Sequence, residues 1–433
     1  MKKLYALFLA LGAFVSLSAQ EKGIDFSGKV ESHWGFSVPW TDSETDAGRA
    51  TIGNTSVTGK LDAFCGNSSA YIEGTAGYEA SQVFDTGFYA KLKEAWVDYS
   101  SGSWGFRIGR QKVAWGKSDG IDITNIICPD DKSSVSAVVS DDKKLAIDAC
   151  RISYSKDSFT VDAYWIPFFT PTALPYKNID FNRPETAIWN GEYGLKISGY
   201  FSAFDISVYG FYGWDSIPII NYTPVYAAAI PSDPASPSAI YIDGIYKRVM
   251  MLGVDAAVPV GQTVIRFETA FFPERHFQKN SSLIVQEKIT ALATALSSGR
   301  QPEEVDSSLT RNELSYLIGL DWMPSDWTIT VQYFGKYVFG SLDELKRKNN
   351  YVHGATYNVS KKFMNELLEL SVSGIIEFNE MDAVVMPAIS YSVSDEIKVS
   401  GGAYLFIPGP AENGTYGVYK KYSSFFIKAE YNF

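Results

Sequence analysis

The sequence predicts an all-β fold: a closed antiparallel transmembrane β-barrel of about 18 strands, with 16 as the fallback count, short periplasmic turns and long extracellular loops. Three observations predict it. Apolar and polar residues alternate with period two in runs of roughly nine to eleven residues, the length of a tilted strand crossing a bilayer. Tight turns and long loops take turns along the chain, as the two sides of such a barrel require. The last residues, FFIKAEYNF, keep alternating up to Phe433, where most chains fray into a polar tail.

The chain opens with Lys2 and Lys3, the apolar run LYALFLALGAFV, and small residues at Ser16, Ser18 and Ala19. That is the pattern of a cleavable secretory signal. Residues 1–20 are expected to be removed near Ala19 and Gln20, and residues 21–433 to form a single barrel domain. The apolar run is shorter than the ~20 residues of a membrane helix. No cysteine stands in the cleavage zone to carry a lipid anchor, and no later segment reads as a helical span.

Aromatic residues make up 15% of the chain, with 27 Tyr among them; such abundance suits strands and membrane interfaces. Cys65, Cys128 and Cys150 are too few and too odd in number for a disulfide framework. Three free thiols are expected, with a Cys128–Cys150 bridge left open. A net charge of −11 without any basic stripe argues against nucleic acid as a partner.

Along the chain, clear alternation runs over Ile24 to Phe36, Trp189 to Phe201, Phe204 to Trp214, Thr263 to Phe271, Leu314 to Trp322, Trp327 to Tyr337 and Ile397 to Leu405. A soluble sandwich also alternates, but its strands average about 5 to 6 residues. Tight turns fall at SSGS (100–103), SKDS (155–158), PVGQ (259–262), MPSD (323–326) and SVSDE (392–396). Long loops lie near 37–51, 115–145, 167–187, 215–246, 273–310 and 408–419. Segment 350–361 counts as a strand because without it the long loops change sides. An even count lets FFIKAEYNF zip to Ile24 to Phe36 and leave no edge. Residues 281–298, with a Ser cap, apolar residues at helical spacing and Gly299 as stop, predict a short helix on the extracellular face.

If the apolar alternates face lipid, the lumen receives Lys29 and Glu31, Lys60 and Asp62, Glu192 and Lys196, Arg266 and Glu268, and Lys428 and Glu430. Signs are mixed, frequently as a base and an acid two residues apart that largely cancel at long range, so no strong preference for anions or cations follows. In the hairpin 88–114, pairing about SSGS sets Tyr99 opposite Trp104 and Trp96 opposite Arg107, with Glu94 and Asp98 diagonal to Arg107. Strict alternation sends Arg110 to the lipid side, so it belongs at the outer rim or is re-aimed inward by a bulge at Gly109.

The connection that follows carries Asp119, Asp122, Asp130 and Asp131 and is expected to fold inward and narrow the channel. The candidate pore-lining residues are Glu94, Asp98, Arg107, Arg110, Gln111, Trp115, Asp119, Asp122 and Asp131. Two extracellular loops, WIPFFTPTALPYKNIDF (165–181) and IPIINYTPVYAAAIP (217–231), are apolar enough that they either pack over the mouth or line a vestibule for an amphiphilic cargo. Phe168, Phe169, Leu174 and Tyr176 form the expected hydrophobic mouth.

EAWVDY (94–99), RIGRQKVAWGKSDGIDITNIICPDD (107–131), YWIPFFTPTALP (164–175), GEYGLKISGYFSAFDISVYGFYGWDSIP (191–218) and PAISYSVSDEIKVSGGAYLF (387–406) resemble a porin-like family of Gram-negative outer-membrane proteins of unknown function. The family is more distantly similar to alginate-export and phosphate-selective porins. Arg107, Arg110, Gln111, Trp115, Asp119, Asp122, Pro129 and Asp131 match its motif, and Tyr431 and Phe433 resemble the C-terminal aromatic signal read by the outer-membrane assembly machinery. The resemblance implies an outer-membrane barrel and passive transport without an agreed substrate.

The function expected is passive diffusion of small solutes through a lumen narrowed by loops. A channel for amphiphilic or hydrophobic substrates and a surface-exposed binding or adhesion barrel are the alternatives. With His33, His276 and His353 as the whole histidine complement and no H-E-x-x-H motif, no enzyme and no cofactor are expected. Outer-membrane lipid, the assembly machinery and a small solute are the expected partners, with the barrel a monomer or a trimer.

Overall fold

Each wall strand of this chain hydrogen-bonds to the next wall strand until the last returns to the first. The computed structural model describes residues 22–38, 48–81, 86–133, 142–176, 179–227, 231, 233–412 and 414–433. The expected signal segment, most of the 37–51 loop and residues 134–141 lie outside the described residues.

Strands β1 (Lys22–Ser37), β2 (Ala50–Cys65), β3 (Ser68–Glu79), β4 (Gly87–Ser101) and β5 (Trp104–Gln111) precede the first inward loop. Then come β6 (Ile147–Lys156), β7 (Phe159–Phe168), the short β8 (Asp180–Asn182), β9 (Glu192–Tyr200) and β10 (Asp205–Trp214). Loop strands β11 (Ile219–Val225) and β12 (Ala239–Ile245) lead into β13 (Arg248–Val260) and β14 (Thr263–Gln278). Helix α1 (Ser281–Ser298) is followed by β15 (Ser308–Trp322), β16 (Trp327–Val338), β17 (Tyr351–Phe363) and β18 (Leu368–Glu377). The chain ends with β19 (Asp382–Ser392), β20 (Ile397–Ile407) and β21 (Ser424–Asn432).

Eighteen of these form one sheet, antiparallel throughout, and β21 pairs with β1 from Lys29↔Asn432 to Ser37↔Ser424. The barrel is closed, so the fallback count of 16 falls away, and the 350–361 segment is the strand β17. Several strands exceed the expected span, β1, β2 and β14 reaching 16 residues each.

Alternation sorts the two faces. On β15, Ile318, Leu320 and Trp322 are exposed outward while Leu317, Gly319 and Asp321 are buried inward. The outward face is stable against hydrocarbon rather than water, since exposed apolar surface of this extent is otherwise rare.

The remaining strands build a three-stranded sheet over the long-loop end, with β11 antiparallel to β12 and β8 parallel to it. Periodicity did not predict it, because both apolar loops read equally as loose packing. Helix α1 has the expected bounds, but its N-cap is Asn280 rather than a serine, without a side-chain cap bond, and Gly299 closes it at φ 65°.

Candidate functional site

After β5 the chain turns into the barrel. Trp115, Ile123, Ile127 and Cys128 are buried there against wall side chains of β7, β10, β13, β14 and β16, among them Tyr164, Tyr209, Met251, Phe272 and Phe334. Each such large apolar burial is worth roughly 1.5–3 kcal/mol. Polar contacts fix the position. Glu268, on β14, accepts the main-chain N–H groups of Lys117 (2.8 Å), Ser118 (2.9 Å) and Thr124 (2.7 Å) and the Thr124 hydroxyl (2.8 Å). Arg266 donates to the Lys117 carbonyl and the Asp119 carboxylate, each at 2.7 Å. The Asp119 N–H donates to Gln332 at 3.1 Å.

Gly116 makes the close approach feasible. It takes φ +80°, and a Cβ there would sit 2.5 Å from Glu268 Oε1. The loop tip reaches β17, where the Thr356 hydroxyl donates to the Asp119 carbonyl at 3.4 Å. The loop therefore spans the lumen from β5 to β17 and divides it.

Burial around the wall tells the two sides apart. Inward residues on β9 to β16 are closed off: Ser198, Tyr209, Asp255, Glu268, Asp321 and Gln332 have almost no accessible surface. On β17 to β21 and β1 to β5 the inward face is mixed: Thr58, Glu73, Ser360, Asp382 and Tyr404 are buried, whereas Asn358, Ser373, Lys398, Lys29, Glu31, Asp62 and Arg107 keep partial or full exposure.

A second loop narrows the arc at the long-loop end. Asp382, with no exposed surface, accepts the N–H groups of Tyr416 (2.6 Å) and Gly417 (2.9 Å). Tyr416, Tyr422 and Phe426 then pack on Ile52, Val384, Tyr404 and Phe406.

The charges on the open arc interlock. Lys29 meets Glu31 (2.6 Å) and Glu430 (3.2 Å), and Lys428 meets Glu31 (3.5 Å) and Glu430 (3.2 Å). Lys93 reaches Glu73 at 3.5 Å and Asp142 at 2.7 Å, Lys112 also pairs with Asp142, and Lys91 meets Asp131 at 3.1 Å. These pairs tie the stem of the inward loop to β3 and β4.

The β4–β5 hairpin corrects the expected register. Asp98, not Trp96, stands opposite Arg107, and Tyr99 stands opposite Phe106. The cause is a two-residue connection, Gly102 and Ser103, between Ser101 and Trp104, with Gly102 at φ +57°; a loop two residues shorter shifts every pair. Arg107 thus bonds Asp98 at 2.9 Å and lies 3.7 Å above the Trp96 ring. Glu94 instead accepts the Lys112 N–H at 3.0 Å.

Arg110 stays on the outward face at the long-loop rim, directly opposite Asp148 and bonded to it at 3.0 Å. Gly109 has φ +128°, yet pairing continues through it, so no bulge turns Arg110 inward. Gln111 and Trp115 are buried and present nothing to the passage; Gln111 donates to the carbonyls of Gly109 and Ala149. Asp122 pairs with Lys144 at 2.8 Å, Asp131 lies in the loop stem, and Asp119 keeps 61% of its side chain exposed. Burial pulls the Lys144 ammonium down, but Asp122 and Asp130 outweigh it and hold it above the ordinary lysine range. The three cysteines are free.

Sequence reasoning missed Glu268 as an anchor and Lys93 as an inward charge. A register shift at Glu73/Gly74 lets Lys93 and Glu94 both serve the lumen side; the adjacent charges in KLKEAW were its signal.

Phe168, Phe169, Leu174 and Tyr176 line one cavity of about 630 Å³ at the long-loop rim, together with Arg110, Asp148 and Arg183.

Comparison with known proteins places this arrangement. A sequence profile of a protein family of unknown function, DUF1302, matches residues 40–394. The fold is similar to Pseudomonas aeruginosa OccK8 (OprE), at 7% identity and TM-score 0.53, covering 95% of this chain and 98% of that one. It is similar to Acinetobacter baumannii OccAB4 at 7% identity and TM-score 0.52, over 96% and 98% of the two chains. The outer membrane channel DcaP of Acinetobacter baumannii aligns at 10% identity and TM-score 0.46, over 96% and 100%. No curated protein matches the chain.

Proposed function

This chain belongs to the DUF1302 family, and from that premise and its half-open lumen we propose that it is an outer-membrane channel for passive diffusion of small solutes. The observation that carries the reading is the contrast in burial around the wall. Most inward residues from β9 to β16 are sealed, whereas on the arc from β17 through β1 to β5 polar side chains such as Asn358, Ser373, Lys398, Lys29, Glu31, Asp62 and Arg107 keep accessible surface between buried neighbours. A plugged adhesion barrel needs no accessible polar side chains on its inner wall.

The balanced ion pairs along that arc support a passage without strong ion preference, since neighbouring opposite charges cancel within about a Debye length. The outward apolar face, the short turns and the long loops support residence in an outer membrane. Its lipid and the assembly machinery are the corresponding partners, and the reading holds for a monomer and for a trimer alike.

Planar-bilayer recording tests it. The folded protein is expected to give unit conductance steps with similar permeability to potassium and chloride, and liposome swelling with sugars, peptides and fatty acids then identifies the solute class. A β-rich, membrane-inserted protein that never opens a step sinks the proposal and favours the adhesion barrel.

A further inference from the structure

Arg110 is an outward-facing charge at the rim of an apolar belt, and it forms part of the floor of a cavity of about 630 Å³. The outward row across β5, β6 and β7 is Arg110, Asp148 and Phe168, residues directly opposite one another. Loop residues Phe169, Leu174, Tyr176 and Phe181 form further walls, with Tyr246 beside them. Phe169 packs on Tyr246 at 4.8 Å between ring centroids and on Trp214 at 6.4 Å. Volume and aromatic lining are those of a small-molecule site.

Charge selects the ligand. Arg110 is neutralised by Asp148, but Arg183, in the lining, has no carboxylate within ion-pair distance among the described residues. Arg248, behind the cavity, is held by the Asn190 carbonyl (3.1 Å), its side-chain oxygen (2.7 Å) and the Gly191 carbonyl (3.0 Å), and lies 4.0 Å above the Trp214 ring. It too lacks a carboxylate partner within that distance among the described residues. Against these two cations stand Glu185 in the lining and Glu192, which lies within electrostatic reach of Arg248, so Arg183 is the cation most open to a ligand. Beside the lining residue Asn190, Ile188 and Trp189 are exposed, giving a tail an apolar surface on which to leave the cavity.

We propose that this rim cavity binds one amphiphile with an anionic headgroup, its charge toward Arg183 and Arg110 and its tail along Phe168 and Phe169. The headgroup comes from the surrounding leaflet or from solution. The site lies against the outward row of the wall, so the inference stands independently of the channel reading.

The test uses the full mature chain in phosphatidylcholine nanodiscs, titrated with spin-labelled stearate and with its methyl ester. Stearate is expected to bind saturably, about one per chain, with the ester at least tenfold weaker. Leu174→Trp, which fills the cavity, is expected to abolish saturable binding, and Arg183→Glu to weaken stearate alone by about tenfold. Phosphatidylglycerol added to the disc displaces the label if the leaflet supplies the ligand, and leaves it bound if solution does; either result supports an anionic site. Equal binding of acid and ester, or unchanged binding in Leu174→Trp, overturns the proposal. Heat-modifiable gel migration and the circular-dichroism spectrum of Leu174→Trp serve as the folding control: a wild-type β signature with lost binding assigns the loss to the cavity.

Discussion

Glu268 holds Thr124 twice: one carboxylate oxygen accepts both its main-chain N–H at 2.7 Å and its hydroxyl at 2.8 Å, 144 residues apart in the chain. The other oxygen takes the N–H groups of Lys117 and Ser118. Asp382 repeats the device on the second loop with Tyr416 and Gly417. In both cases an acid on the inner wall satisfies loop amides that would otherwise be buried without partners. The lumenal acids of this barrel therefore set its width as well as its charge.

Glu268→Ala leaves three loop amides without their acceptor, and each buried unpaired donor costs about 1–3 kcal/mol. The loop is expected to lift from β14, giving larger and noisier conductance steps and a lower unfolding temperature. Glu268→Gln keeps one acceptor oxygen and falls between. Wild-type conductance from the alanine variant would mean that the loop does not limit the passage.

The stem of the same loop predicts a pH response. Burial pushes the Asp131 carboxyl up, but hydrogen bonds from Ser133 and the charge of Lys91 outweigh it and hold it below the usual range. Asp142 behaves alike: burial raises it, and Lys112 and Lys93 bring it below. For a depressed carboxylate the stabilisation is fully present above the unfolded value of about 3.9 and is lost as pH falls through the folded one. Protease resistance of the stem should stay level from about pH 8 to pH 5 and drop below about pH 4. A transition near neutrality would contradict this pairing.

Cys128 gives a chemical probe of the closed loop. Burial pushes its thiol up to about 11, with the Val113 N–H, 3.2 Å from Sγ, pulling the other way. At pH ~8 the thiolate fraction is then on the order of a thousandth. Maleimide should label Cys65, at the short-turn end, and leave Cys128 untouched until the loop is released. Glu268→Ala should make Cys128 reactive without global unfolding, read by mass spectrometry as a label on the peptide that carries Cys128 and not on those of Cys65 and Cys150.

What the sequence conveyed follows from what is local. Alternation at Trp327 to Tyr337 marks a strand because each residue reports its own face, and the doubtful β17 was recovered by the side on which the loops must fall. The inward turn of the 115–145 connection was legible from its length. Glu268 was not, because spacing pairs it with Arg266, whereas its partners lie some 150 residues away in a loop. The β4–β5 register was lost on one ambiguity, whether SSGS is a loop of four residues or of two. The cap sheet of β8, β11 and β12 joins loop segments with no alternation to link them.

The closing seam separates two roles for the terminal phenylalanine. Phe433 exchanges both main-chain hydrogen bonds with Gly28, at 2.8 and 3.0 Å, while its ring covers that glycine and lies 5.8 Å from the Phe26 ring. A Cβ on Gly28 would come within 2.5 Å of the Phe433 ring, so this glycine is the receptacle for the aromatic. Phe433→Ala keeps the main-chain pair and removes the ring contact, a loss of about 1 kcal/mol; deletion of Phe433 removes both. If the assembly machinery reads the aromatic, Phe433→Ala should refold from urea into detergent nearly as well as wild type and yet accumulate poorly in the outer membrane. Should refolding and cellular yield fall together, the residue acts through the seam itself, and Phe26→Ala, which removes the ring's neighbour but leaves Phe433 in the sequence, should reproduce the defect.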